Sequence, residues 1–120
     1  MRRSLAKGAR LRAGADIRRI IRKGRRVEAG PYVVHGLPAA TPAGSRLAVV
    51  VPGRVGTAVV RNRIKRTFRE AFRLGRAEWR RDWDLVVYVR SLPGPITMQR
   101  AAEALEQAVT TFEPTSSSNG

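Results

Sequence analysis

Residues 61–73, Arg-Asn-Arg-Ile-Lys-Arg-Thr-Phe-Arg-Glu-Ala-Phe-Arg, hold six cations and a single acid, Glu70. Guanidinium groups at this density suit forked hydrogen bonds to phosphate and stacking on nucleobases. The like charges at Arg61, Lys65, Arg69 and Arg73 recur every fourth residue. On a helix such pairs repel by roughly 0.2–0.5 kcal/mol each, where a solvated face would normally alternate signs. A polyphosphate backbone relieves that repulsion and releases its condensed counterions. A plainly solvated charged face is the alternative, and the stacking of one sign weighs against it. The chemistry on offer is the binding of a nucleic-acid backbone.

Hydrolytic chemistry is far less visible. A protein nuclease needs metal-binding carboxylates or a set of positioned acid–base side chains. His35 is the one histidine, and the nine acids are scattered. The closest acidic pair, Asp82 and Asp84, reads as a strand entry rather than a metal site. No Gly-rich phosphate loop or nucleophile motif is present. With no cysteine there are no disulfides and no thiolate metal sites. The polypeptide is expected to lack catalytic residues and to bind no cofactor or metal of its own.

Composition points the same way. The 120 residues suffice for one domain with one core. A formal net charge of +15 is extreme for an enzyme of small molecules and fits a protein that lives on nucleic acid or an anionic surface. No apolar run approaches the roughly 18 residues of a membrane span, and no apolar segment follows the basic N-terminus as in a secretory signal. The cytoplasm is the expected location, with no membrane partner. Residues 1–26 carry eleven Lys and Arg against Asp16, and residues 54–81 carry ten against Glu70 and Glu78. Residues 82–120 have only Arg90 and Arg100 against five acids. The two basic segments are expected to converge on one surface, with the C-terminal third facing away.

The elements that must position these charges follow from periodicity. Val60, Ile64, Phe68 and Phe72, joined by Thr67 and Ala71, share one arc of a helix at about 100° per residue, and the cations take the opposite arc. That helix fades near Gly75. An earlier amphipathic helix spans 15–23, with Ile17, Ile20 and Ile21 on one side and Arg18, Arg19, Arg22 and Lys23 on the other; Gly24 ends it. Residues 27–29 suit a short strand. Residues 32–37 alternate Tyr32, Val34, Gly36 with Val33, His35, Leu37 as a β-strand. Residues 38–45 form a loop by their Pro and Gly content. The continuous apolar run 47–51 is expected as a central strand, and 84–90 as a second apolar strand. Trp79 and Trp83 should anchor the connector before it. Thr97 should cap a last helix whose stripe is Ala101, Leu105, Ala108, Val109 and Phe112. The expected organisation is a basic flexible arm over 1–13, a folded RNA-binding domain over 14–112 and a disordered tail over 113–120. The fold class is α+β, a small sandwich in which a sheet lies between helices.

The eighteen-residue stretch from Gly56 to Arg73, with Arg61-Asn62-Arg63 at its centre, resembles the signature of the bacterial ribonuclease P protein subunit. The resemblance extends over about residues 10–112. It implies a mostly antiparallel central sheet with a left-handed β-α-β crossover, the ribosomal protein S5 domain 2-like fold. It also implies a function: with a catalytic RNA, endonucleolytic removal of the 5′ leader from precursor tRNA. The RNA would perform the phosphodiester hydrolysis and require Mg²⁺, one protein pairing with each RNA. By the same resemblance, Arg61, Asn62, Arg63 and Arg66 would contact the catalytic RNA. Lys65 and Arg69 would meet leader phosphates. For Arg63 a salt bridge with Glu70 stands as the structural alternative. Ile17, Ile21, Val33 and His35 match positions of a leader-binding cleft, where the family often has Phe at the first two and Tyr at the last. Isoleucine supplies apolar contact without base stacking, and a surface or core role remains open for His35. Pro52-Gly53-Arg54 stands where the family usually has Ser-Lys-Lys.

Two other functions fit the composition. A structural RNA-binding protein such as a ribosomal protein would share the charge, and the long Arg-Asn-Arg signature discriminates against it. A DNA-binding regulator usually dimerises on half-sites, and no dimerisation helix is visible.

Overall fold

The computed structural model describes residues 14–40 and 44–113. The arm expected over 1–13 and the tail from 114 onward lie outside the described residues. Helix α1, Gly14–Lys23, carries Asp16 in its first turn and Arg22 and Lys23 in its last, the order the helix dipole favours. It stops where Gly24 donates its N–H to the Ile20 carbonyl at 2.8 Å. Strand β1, Arg25–Ala29, is longer than its sequence pattern suggests and pairs antiparallel with β2, Tyr32–Pro38. The two-residue turn between them begins with Gly30 at φ +63°, a conformation that glycine adopts without strain.

Strand β3, Arg46–Val50, leads through a single 3-10 turn, Gly53–Val55, into α2, Ala58–Gly75. Thr57 caps α2, its hydroxyl accepting from the Val60 N–H at 3.2 Å. A second 3-10 turn, Arg76–Glu78, precedes β4, Trp83–Val89, and α3 spans Met98–Phe112. Thr97 caps α3 by accepting from the Arg100 N–H at 3.1 Å. The sheet order is β1-β2-β4-β3, with two antiparallel pairs and a parallel β3–β4 pair spanned by α2.

The apolar strand β3 therefore sits at an edge, not at the centre where its composition places it. Its residues are apolar on both sides because both sides are covered. Leu47 packs in the α2–α3 core, and Ala48 packs under Ile20 of α1. Two-sided burial, rather than a central position, makes a strand continuously apolar.

Strand alternation sorts the molecule into layers. Tyr32, Val34, Leu47, Leu85 and Val87 face α2 and α3, meeting Ile64, Phe68, Phe72, Leu105 and Phe112 in the main core. Tyr32 meets Phe68 edge-on at 5.1 Å, and Trp79 meets Phe72 at 5.4 Å. The Phe112 ring occupies the space a side chain at Gly36 would need, 2.5 Å from its ideal Cβ. Full burial of Phe68 and Phe72 contributes about 1.5–3 kcal/mol each. On the opposite face lies a smaller cluster of Ile20, Ala48 and Val86.

The two basic helices consequently pack on opposite faces of the sheet, correcting the expectation of one shared surface. Period-two alternation sends Ala48 and Val86 away from Leu47 and Val87, so each helix receives its own apolar face. Helix α3 lies beside α2 rather than turned away from it. Glu113, which composition assigns to the tail, is anchored instead. Its carboxylate accepts from the backbone N–H of Arg80 and Arg81 and from the Trp83 indole.

Candidate nucleic-acid interface

The polar arc of α2 is built by burial of its other side. Ile64, Phe68, Ala71 and Phe72 are buried and Val60 is partly so, which leaves Asn62, Arg63 and Arg66 pointing to solvent. Arg61, Lys65, Arg69 and Arg73, one turn apart, form a half-buried strip alongside them. Arg61 is partly structural, since its Nε donates to the Gly56 carbonyl at 3.1 Å and ties the loop after β3 to the helix. Glu70 pairs with Arg73, not with Arg63, and takes both donors of its fork. That hydrogen bonding holds the Glu70 carboxyl below its ordinary range. Arg73 is thereby neutralised in place, and Arg63 stays with the exposed cations.

The second candidate surface is the sheet face under α1. Register places Val33, Tyr88 and Val50 in one row across β2, β4 and β3, with His35, Val86 and Ala48 in the next and Leu37, Asp84 and Arg46 in the third. Asp16 reaches Arg46 at 4.0 Å, and Gly24 lies against the backbone of Gly36. Helix α1 thus crosses the strands at the Arg46–Asp84 end. Ile20 is its buried contact. Ile17 and Ile21, one turn apart, lie on the flank away from Asp16 and so border the remaining rows. Ile17 is half-buried against Ala48 and Val86, and Ile21 is 40% exposed.

Of the strand residues predicted here, Val33 and His35 share the α1 face but are more buried than an open platform, at 3% and 9% exposure. Burial, and secondarily the Arg26 charge, lowers the His35 pKa from its ordinary value, so the imidazole is neutral at neutral pH. The residue that sequence reasoning missed is Tyr88. It is half-buried, directly opposite Val33, and presents an aromatic ring on this face. Alternation groups Tyr88 with Asp84 and Val86 on one face of β4, and the pairing of β4 with β2 decides that this face is the one under α1.

The two acids take different partners, Asp82 just before β4 and Asp84 within it. Asp84, fully buried, accepts from Arg46 Nε at 3.1 Å and Nη2 at 2.8 Å and from the Ala40 N–H at 3.2 Å. Asp82 accepts from the Ser45 hydroxyl at 3.3 Å, while that hydroxyl accepts from the Trp83 N–H at 2.8 Å. Both carboxylates serve the fold. Among the described residues no three His, Asp or Glu side chains gather where a metal ion could sit. A cavity of about 380 Å³ opens elsewhere, between α2 and α3. Its walls include Trp79, Leu105 and Val109, and Glu78 and Glu106 stand at its rim. Those acids would repel a phosphate.

The family model described as Ribonuclease P matches residues 5–113. The ribonuclease P protein component of Desulfovibrio desulfuricans is 35% identical over 103 residues, covering 85% of this chain and 79% of that protein. That of Herpetosiphon aurantiacus is 39% identical over 87 residues, covering 72% and 70%. The solved RNase P protein of Staphylococcus aureus superposes with a TM-score of 0.74 at 30% identity, over 90% of this chain and 97% of that one. The Thermotoga maritima protein gives 0.71 at 27%, over 85% and 96%. A matching family model over nearly the whole chain, together with the shared α+β fold, shows that this chain belongs to the ribonuclease P protein family.

Proposed function

We propose that this chain is the protein subunit of ribonuclease P, acting with a catalytic RNA to remove the 5′ leader of precursor tRNA. The observation that carries this reading is the cationic face of α2, where exposed Asn62, Arg63 and Arg66 lie beside the half-buried strip from Arg61 to Arg73 and the one acid, Glu70, is taken by Arg73. Arg61, Asn62, Arg63 and Arg66 contact the catalytic RNA. Lys65 and Arg69 meet leader phosphates on the adjacent strip. Ile17, Ile21, Val33 and His35, joined by Tyr88, form the groove that receives leader bases. One protein serves one RNA, in the cytoplasm.

Mg²⁺ belongs to the RNA in this reading. Among the described residues the closest acidic pair is already engaged, Asp84 by Arg46 and Asp82 by Ser45, and no three His, Asp or Glu side chains gather around a point. No chemical step is routed through this chain; it binds, orients and neutralises charge.

Reconstitution tests the proposal. The polypeptide alone should leave precursor tRNA intact, and the cognate catalytic RNA should cleave it at low Mg²⁺ only when the protein is added. Metal-dependent cleavage by RNA-free protein would overturn the reading, as would co-sedimentation with ribosomes in place of a separate small RNA.

A further inference from the structure

The groove and the α2 face leave the cations of the basic segment 18–26 without a role in RNA binding. Residues 18–26 hold six cations and no acid. Three of them are committed within the fold. Arg19 lies 3.7 Å from Asp16, Arg26 pairs with Glu28 at 2.8 Å, and Arg25 donates to the Phe112 carbonyl at 3.0 Å. Arg18, Arg22 and Lys23 are exposed, and among the described residues no carboxylate pairs with them.

At about 100° per residue, Arg18 and Arg22 both lie about 160° from Ile20, the residue that seats α1 on the sheet. They form the outward crest of the helix, separated by about 6 Å along its axis. Ile17 and Ile21 lie on one flank of that crest, the groove side. Lys23 lies on the other flank, with Asp16 and Arg19. A single strand whose bases enter the groove against Ile17 and Ile21 must present its phosphates outward, toward Arg18 and Arg22. Helix α2 packs on the opposite face of the sheet, so Lys65 and Arg69 meet leader phosphates elsewhere along the strand than those beside the α1 crest.

We infer that Arg18 and Arg22 form a phosphate-binding crest for single-stranded RNA leaving the groove, so that leader nucleotides beyond the bound bases add affinity. This rests on the function proposed above and assigns a further contact to it. Sequence identity plays no part in such a contact, since phosphates position a strand without reading it. The crest should therefore make the protein sensitive to leader length and indifferent to the sequence of the distal leader.

The test uses reconstituted holoenzyme and three RNAs: mature tRNA, precursor with a leader that only fills the groove, and precursor with a leader several nucleotides longer. The variant is Arg18→Gln/Arg22→Gln, which keeps good helix formers at exposed positions. Lys23→Gln is the control. Wild type should bind the longer leader more tightly than the short one, and the double variant should lose that gain. Its salt slope on the long leader should fall by about 0.7 for each phosphate no longer neutralised, about 1.4 for the pair, while Lys23→Gln retains the wild-type slope. Equal loss on mature tRNA would assign the crest to another RNA surface, and an unchanged length dependence would show a solvated face. Either result overturns the inference while the holoenzyme still cleaves. Failure to assemble an active holoenzyme from wild-type protein would instead overturn the parent reading.

Discussion

Burial holds the His35 imidazole below its ordinary pKa, with Arg26 adding to the effect. The unfolded chain therefore takes up this proton at a higher pH than the folded one. The stability associated with neutral His35 is present above about pH 6.5 and is lost as pH falls from there toward the folded value. Thermal midpoints should accordingly drop across that window for the wild type and stay flatter for His35→Gln; parallel curves would refute the assignment. Tyr88 invites a different test. If its ring stacks on a leader base, Tyr88→Ala should weaken leader-bearing substrate by about 1–3 kcal/mol and Tyr88→Phe by little. Affinity for mature tRNA should hold steady in both, and an equal loss there would make Tyr88 a packing residue. Arg46 is structural by geometry. Arg46→Ala leaves the Asp84 carboxylate buried with only the Ala40 N–H, at a cost of about 3–5 kcal/mol by chemical denaturation. Arg46→Met with Asp84→Leu should recover most of that loss, because no charge is then stranded.

At the scale of elements, the position of α1 decides whether a groove exists. A Cβ on Gly24 would lie 2.5 Å from the Ile20 carbonyl oxygen and 2.7 Å from that of Gly36. Both obstacles are backbone, so no side-chain rotation relieves them. Gly24→Ala should displace the end of α1 from β2 and cost about 1–3 kcal/mol, and it should weaken leader-bearing substrate more than mature tRNA. An unaltered thermal midpoint would show that α1 can shift without penalty. The caps are partly legible in the sequence. Thr97 stands directly before a regular apolar stripe, which marks it as the start of α3. β1 is harder to delimit, because Arg25 and Arg26 look like more of the basic run. Their strand conformation comes from pairing with His35 and Gly36 across the hairpin.

Taken whole, the molecule is a charged sandwich whose two basic helices sit on opposite faces of one sheet. Binding to the catalytic RNA should be strongly salt-dependent. Arg66→Ala should reduce the salt slope by about 1 with little change in fold stability, since Arg66 is exposed. Arg61→Ala should lower both the slope and the thermal midpoint, because its Nε also secures the Gly56 carbonyl. If the two variants behave alike, the distinction between a phosphate contact and a loop tether is wrong.

Local chemistry determined by itself much of what this protein is. The four-residue apolar spacing from Val60 to Phe72 defines α2 and its cationic arc without any knowledge of partners, because helical geometry alone sorts those side chains. The alternation of 32–37 likewise assigns Val33 and His35 to one face. Which face receives which helix was decided only in three dimensions. Nothing local in Leu47-Ala48-Val49-Val50 says that the strand lies at an edge and is covered twice, by α1 above Ala48 and by α2 below Leu47. Nor does the spacing of Asp82 and Asp84 reveal that they take different partners, Ser45 and Arg46. Tyr88 joins the candidate groove only because parity and register place β4 beside β2, a pairing between residues some fifty positions apart. Such contacts depend on chain closure rather than on neighbouring residues, and that is why the tertiary structure alone could supply them.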